Sequence, residues 1–380
     1  MRPRTGAIFA CLGLLLGLTM PSFAAPKPVK VKLVKKSSLA LKVLTHQRAL
    51  SDGIPVQLKS TTGSITVAGQ EVAVQLRSVR SGASMRTLLS LDLNCNGNFD
   101  KGETEILNSN DSIEYVLDYE QDGKKKKYYF VLTRINAIRN QKKQPVGLTA
   151  ALIPHWYIKG KINGQRFKIV DANMDGKITQ DGSDAIALKS SCALPLRKVH
   201  FFKKKFYELE ISEDGLTVNA TVKKDLKLAT VKLQKKHAKC RSLIIENETG
   251  AFDLINVKQV PAGTYHVSYG TFAKGRPTAK SAVYMLPFVG HDDQTNESVR
   301  LSYKLQADKL NLLRAGAPVM AFFSAPAYDE DKKVVAISPY GIRITGVAGE
   351  SFRFRGKLPN PQYFYKQGRK IAGPYSFPSG

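Results

Sequence analysis

From Ile54 onward, apolar and polar side chains alternate with a period of two, and turn-forming residues punctuate the runs. That alternation turns one face of a strand to a core and the other to water. Ile65-Thr66-Val67, Val72-Ala73-Val74-Gln75-Leu76 and Thr87-Leu88-Leu89-Ser90-Leu91 read as strands. Tyr115-Val116-Leu117-Asp118-Tyr119 and Tyr128-Tyr129-Phe130-Val131-Leu132 flank the turn signal Gln121-Asp122-Gly123-Lys124, which predicts a hairpin. Further hairpins are predicted at Asn163-Gly164, between residues 156–162 and 166–170, and at Glu213-Asp214-Gly215, between residues 205–211 and 216–218. Val260-Pro261-Ala262-Gly263-Thr264-Tyr265 reads as a tight turn feeding Val267-Ser268-Tyr269. From about Glu297, short strands recur at residues 299–303, 319–323, 334–337, 342–344 and 352–354, and end in a hairpin over 363–377. That spacing suits an immunoglobulin-like or transthyretin-like sandwich. The expected class is all-β and multi-domain: a hairpin and meander domain over 46–200, a β-rich middle domain over 201–295 and a C-terminal sandwich over 296–380.

One strand runs straight into Asp92-Leu93-Asn94-Cys95-Asn96-Gly97-Asn98-Phe99-Asp100-Lys101-Gly102-Glu103. Oxygen-bearing side chains stand at loop positions 1, 3, 5, 9 and 12, with glycine at position 6, the spacing D-x-[DN]-x-[DN]-G-x5-E. Calcium takes six to eight oxygens at roughly 2.3–2.6 Å, and a short loop supplies them only by curling around the ion. Asp92, Asn94 and Asn96 would point inward, and Gly97 would take the sharp bend. Asn98 would offer its backbone carbonyl, Asp100 would act through a water, and Glu103 would close the shell with both oxygens. Phe99 stands at position 8, where an apolar anchor belongs.

Roughly eighty residues later the arrangement recurs as Asp171-Ala172-Asn173-Met174-Asp175-Gly176-Lys177-Ile178-Thr179. Asp171, Asn173, Asp175, Gly176 and the anchor Ile178 are in register, and Lys177 stands where Asn98 stands in the first loop. Position 12 is Gly182, so the closing glutamate is missing. Asp181 or Asp184 must substitute, and we take Asp184, directly before Ala185-Ile186-Ala187-Leu188.

Both loops resemble EF-hand calcium loops residue by residue. They leave strands rather than helices, which separates the chain from helix-loop-helix sensors that expose a Met-rich groove; it has six Met in all. Calcium would act as a staple, holding together carboxylates that repel one another without it. The larger order also resembles uncharacterised exported bacterial proteins in which strand-borne D-x-N-x-D-G loops precede β-sandwich modules. That resemblance implies calcium and export, and it implies no reaction.

Residues 1–24 carry a targeting pattern: Arg2 and Arg4, an apolar run from Ala7 to Met20, and the small-x-small site Ser22-Phe23-Ala24. The run is too short to span a membrane, and no later run reaches about 18 apolar residues. Export, periplasmic or extracellular, is expected, with a basic leader over 25–45. The formal charge is +27, and +25 once Arg2 and Arg4 are removed. Lysines gather at 124–127, 203–205 and 235–236. They read either as solvated turns or as a surface for acidic polysaccharide or another polyanion; no nucleic-acid motif accompanies them. Of Cys95, Cys192 and Cys240, the first occupies an outward loop position and is expected free, leaving Cys192–Cys240 as the conceivable disulfide. None of the six histidines shows a metal-catalytic spacing, and there is no G-x-S-x-G or Walker pattern. No catalytic residue is assigned, and the oligomeric state is left open. A carbohydrate-active hydrolase remains the third reading, because glycosidase carboxylates leave no local signature.

Overall fold

The computed structural model describes residues 27–30, 32–35, 54–81, 84–107, 112–121, 123–188, 193–213, 215–234, 239–273, 283–285, 288–291 and 298–315. It also describes the short strands 320–323, 327–329, 334–336, 342–345, 352–354, 362–367 and 370–376. The targeting segment 1–24, the turn residues Asp122 and Asp214, Lys235-Lys236, Cys192 and the side chain of Cys240 lie outside the described residues, and the expected disulfide with them.

Among the described residues there is no helix, and the architecture is all-β, built mainly of antiparallel sheets. In chain order the strands that frame the two loops are β1 (Lys27–Val29), β2 (Lys32–Lys35), β3 (Ile54–Leu58), β4 (Thr62–Val67), β5 (Gln70–Ser81), β6 (Ser84–Leu91), β7 (Thr104–Leu107), β8 (Ile113–Gln121) and β9 (Lys124–Arg139). They continue as β10 (Pro145–Pro154), β11 (Trp156–Ile162), β12 (Gln165–Val170), β13 (Ala185–Leu188), β14 (Ala193–Pro195), β15 (Val199–Phe202), β16 (Lys205–Ile211) and β17 (Val218–Lys223). Four sheets result: β4-β5-β6-β7, β3-β10-β9-β8, β14-β13-β12-β11-β2 and β1-β17-β16-β15.

The strands of the predicted hairpins pair antiparallel as expected. Between β11 and β12, Asn163 and Gly164 sit at φ 47° and 74°, the paired positive angles that let a two-residue turn match strand twist. Between β8 and β9 the register pairs Tyr115 with Phe130 and Asp118 with Lys127, whose charges meet at 2.8 Å. Two pieces of the expected basic leader are built into the sheets. They are edge strands: β1 pairs with β17 and β2 with β11. An edge position asks only for backbone pairing along one side, and there a proline such as Pro28 is tolerated.

All four sheets contribute to one core, with Val67, Leu89, Leu117, Phe130, Ile158, Phe167 and Phe202 buried in it. It continues past residue 200 through Tyr207, Leu209 and Val218. A second core gathers Phe252, Val260, Tyr265, Val267 and Leu301. Its strands are β18 (Leu228–Leu233), β19 (Lys239–Glu246), β20 (Ala251–Asp253), β21 (Gln259–Pro261) and β22 (Gly263–Ala273). Here β18 runs parallel to Leu310–Leu313, a pairing of segments about eighty residues apart that no local pattern announces. No helix among the described residues is long and apolar enough to cross a membrane.

His200 on β15 is wholly buried, its Nε2 accepting the Arg197 amide at 3.2 Å. Burial lowers its pKa to about 4 from the usual 6.5. A folded-state value below the unfolded one means stability is full above about 6.5 and is lost as pH falls through about 4. Across that window roughly 3 kcal/mol should disappear, at about 1.4 kcal/mol per pH unit. Denaturant unfolding at pH 7 and pH 4.5 checks this: a His200→Gln variant should show the smaller acid loss, whatever its stability at pH 7. Equal acid losses in the two proteins would remove the assignment.

Candidate calcium loops

The strands explain how acidic residues come to be buried. On β12 the inward face reads Phe167, Ile169 and, one step further, Asp171. Alternation therefore carries Asp171 into the interior, where it is 0 % exposed. Asp92, next after β6, is 4 % exposed, and Glu103, just before β7, is 7 % exposed.

Inside the first loop the backbone amides converge on two carboxylates. Asp92 accepts from the amides of Asn96 at 3.1 Å and Gly97 at 2.8 Å. Glu103 accepts from Leu93 at 2.8 Å and Asp100 at 2.7 Å. Asn94 and Asn96 both donate their side-chain amides to Asp100, and the Asn98 amide donates to Asn96 Oδ1. The loop is anchored outside by Asp92 N–H to the Ala73 carbonyl and by Asp118 N–H to the Leu93 carbonyl. Cys95 is exposed and free at φ 55°, and burial together with the charges of Asp92 and Glu103 raises its thiol pKa. Phe99 is only half-buried, so the expected anchor is weak here.

The second loop repeats this framework at the glycine bend and at the closing carboxylate. Gly176 N–H donates to Asp171 as Gly97 does to Asp92, at 3.0 Å. Asp184 accepts from Ala172 at 2.8 Å and Thr179 at 2.7 Å. Those are loop positions 2 and 9, the positions that Leu93 and Asp100 hold for Glu103. A shorter side chain entering two residues later thus occupies the place of the closing glutamate. Asp181 turns away and binds Thr179 and Ser183, which holds its carboxyl below the usual range. Asn173 donates to Asp175, and Asp175 accepts the Lys177 amide, while the Lys177 ammonium turns outward to Glu213 at 3.4 Å. Positions 4 and 6 are left-handed in both loops: Cys95 and Gly97 at 55° and 81°, Met174 and Gly176 at 59° and 84°. At Gly176 a Cβ would also press on Ala68 at 3.1 Å and the Tyr119 hydroxyl at 3.3 Å, so glycine is required twice over. Met174 and Ile178 are buried in the main core and fix this loop more firmly than Phe99 fixes the first.

Residues beyond the motif complete the second loop. Tyr128, from the neighbouring sheet, donates its hydroxyl to Asp171 Oδ2 at 2.8 Å across 43 residues of chain. Arg197 lies against Gly182 and bonds Glu246 at 2.8 Å, tying the loop to β19. The sequence carries no signal for either contact. Burial first, and then the Asp184 charge, raises the pKa of Asp171; burial raises that of Asp184 as well. Asp171 Oδ1 is buried without a hydrogen-bond partner.

A buried carboxylate oxygen with no donor, among further carboxylates, is an environment that a cation would relieve. The donors present, carboxylates, amides and backbone carbonyls, are hard oxygens of the kind calcium takes. Among the described residues no three His, Cys, Asp or Glu side chains converge in one metal cluster. The oxygen sets of the loops are mixed, with Asn side chains standing between the carboxylates.

The site and fold define an all-β protein with two repeated Asp/Asn/Gly loops, each set between strands. No family model matches the chain, and neither the curated proteins nor the solved structures yield a match.

Proposed function

We propose that this chain is an exported calcium-binding protein, structural or ligand-binding rather than catalytic, in which the ion staples the Asp92–Glu103 and Asp171–Asp184 loops. The observation that carries the reading is the orphaned Asp171 Oδ1, enclosed beside Asp184 and Asp175. Asp92, Asn94, Asn96, Asp100 and Glu103, with the Asn98 carbonyl, would hold one ion. Asp171, Asn173, Asp175 and Asp184, with the Lys177 carbonyl, would hold the other. Export rests on the Arg2, Arg4 and Ala7–Met20 pattern. In the expected middle domain the buried Tyr265 hydroxyl bonds the Pro261 carbonyl four residues upstream at 2.9 Å, a tie resembling the tyrosine corner of immunoglobulin-type domains, while the sandwich expected over 296–380 rests on strand spacing alone.

Calorimetric titration of the mature protein with calcium tests the proposal. Two unequal binding steps are expected, of which Asp171→Asn removes one and Asp92→Asn the other. A heatless titration of the wild type, or two steps surviving in both variants, rejects it.

A further inference from the structure

The tip of the β8–β9 hairpin overhangs the second loop and leaves a cleft of about 530 Å³, within the ~300–1,000 Å³ range of small-ligand sites. Register places Tyr119 opposite Lys126 and Gln121 opposite Lys124, all on the face that deeper down buries Leu117 and Tyr128. This face forms one wall. Gly176 and Lys177 of the second loop form the other, continued by Ser212, Glu213 and Leu216 of the β16–β17 turn, and Trp156 lies at the base. Lys177 pairs with Glu213 at 3.4 Å and Lys127 with Asp118 at 2.8 Å, which leaves the ammonium groups of Lys124 and Lys126 in excess among the described charged residues of the cleft. Leu216 is 53 % exposed at its mouth, a large apolar side chain left in water.

We propose that this cleft binds an acidic saccharide. The apolar faces of a sugar ring would lie on Tyr119, Trp156 and Leu216. Its hydroxyls would meet the Gln121 amide and the Ser212 hydroxyl, and its carboxylate or sulfate the ammonium groups of Lys124 and Lys126. Lys126 is already aimed along this wall, bonded to Gln121 Oε1 at 2.8 Å. Neutral hydrogen-bonding groups between the cations suit a polyhydroxylated anion better than an acidic peptide. The site goes beyond the calcium reading and stands without it. The two meet at Gly176 and Lys177, which belong to the second loop and line the cleft, and at Tyr128, which lines the cleft and bonds Asp171.

Trp156 is the only tryptophan of the chain, so its emission reports on the cleft. The mature protein is titrated with tetragalacturonate, with maltotetraose of the same length and with tetraglutamate, in calcium-loaded and in chelator-treated form. A saturable emission change with tetragalacturonate is expected, in one or both forms. A Lys124→Glu/Lys126→Glu variant should weaken it at least about tenfold, whereas Lys232→Glu/Lys304→Glu, two exposed lysines away from the cleft, should alter it less than about twofold. Leu216→Asp gives an independent loss should the lysine pair disturb folding. Silence in both forms, an equal response to maltotetraose, tighter tetraglutamate binding, or equal loss in the remote variant each overturns the site.

Discussion

Calcium is expected to raise the unfolding free energy by about 2.7 kcal/mol for each filled loop when free ion stands ~100-fold above its dissociation constant. The physical origin is clearest in the second loop. Asp171 and Asp184 are 0 % and 1 % exposed, and burial works against ionising either carboxyl. Of the Asp171 oxygens, one is served by Gly176 and Tyr128 while the other has no donor. Binding to the folded loop and not to the unfolded chain converts that frustration into stability. Thermal unfolding with calcium and with chelator measures it. Asp171→Asn sharpens the experiment, since it removes the buried charge and keeps an oxygen for Gly176 and Tyr128. In chelator this variant should be at least as stable as the wild type; in calcium it should gain from the first loop only. Identical melting with and without calcium would discard the staple. A chelated variant less stable than the wild type would show instead that the carboxylate of Asp171 is satisfied without an ion.

Phe167→Ala should be the most damaging single truncation near the site, costing about 3–5 kcal/mol. Phe167 is 1 % exposed and meets the edge of Phe202 with ring centroids 6.2 Å apart, joining the β12 sheet to the β15 sheet. Asp171 hangs from the same strand face four residues on, so the vacated space also loosens the first ligand position. With total stability on the order of 5–15 kcal/mol, the ion-free variant would stand near its unfolding threshold, and calcium should recover part of the loss by mass action. Urea unfolding in both conditions checks this. Lys168→Ala, next in sequence but stacked over Tyr157 at 5.2 Å on the other face, should lose no more than about 1 kcal/mol. Similar losses for the two would mean that Phe167 does not hold the core.

The charge pattern divides along the same lines. The lysine run 124–127 occupies the hairpin tip, where the bland reading of solvated residues fits Lys127, paired with Asp118, and the cleft reading uses Lys124 and Lys126 on the opposite face. Alternation along one strand thus gives neighbouring lysines different work, a distinction that a count of charges misses.

What the sequence by itself determined is the local structure. Period-two alternation marked β5, β6, β8, β9 and β12, Asn163-Gly164 dictated a turn, and glycine at position 6 set the bend of both loops, because each signal lies within a few adjacent residues. Only the tertiary structure decided what meets those residues. It brought Tyr128 to Asp171, put Asp184 on the same two amide positions that Glu103 holds, drew β1 and β2 onto sheet edges and set β18 parallel to Leu310–Leu313. These partners are brought together by sheet order and shared core packing rather than by neighbouring sequence, so no window of local pattern could contain them.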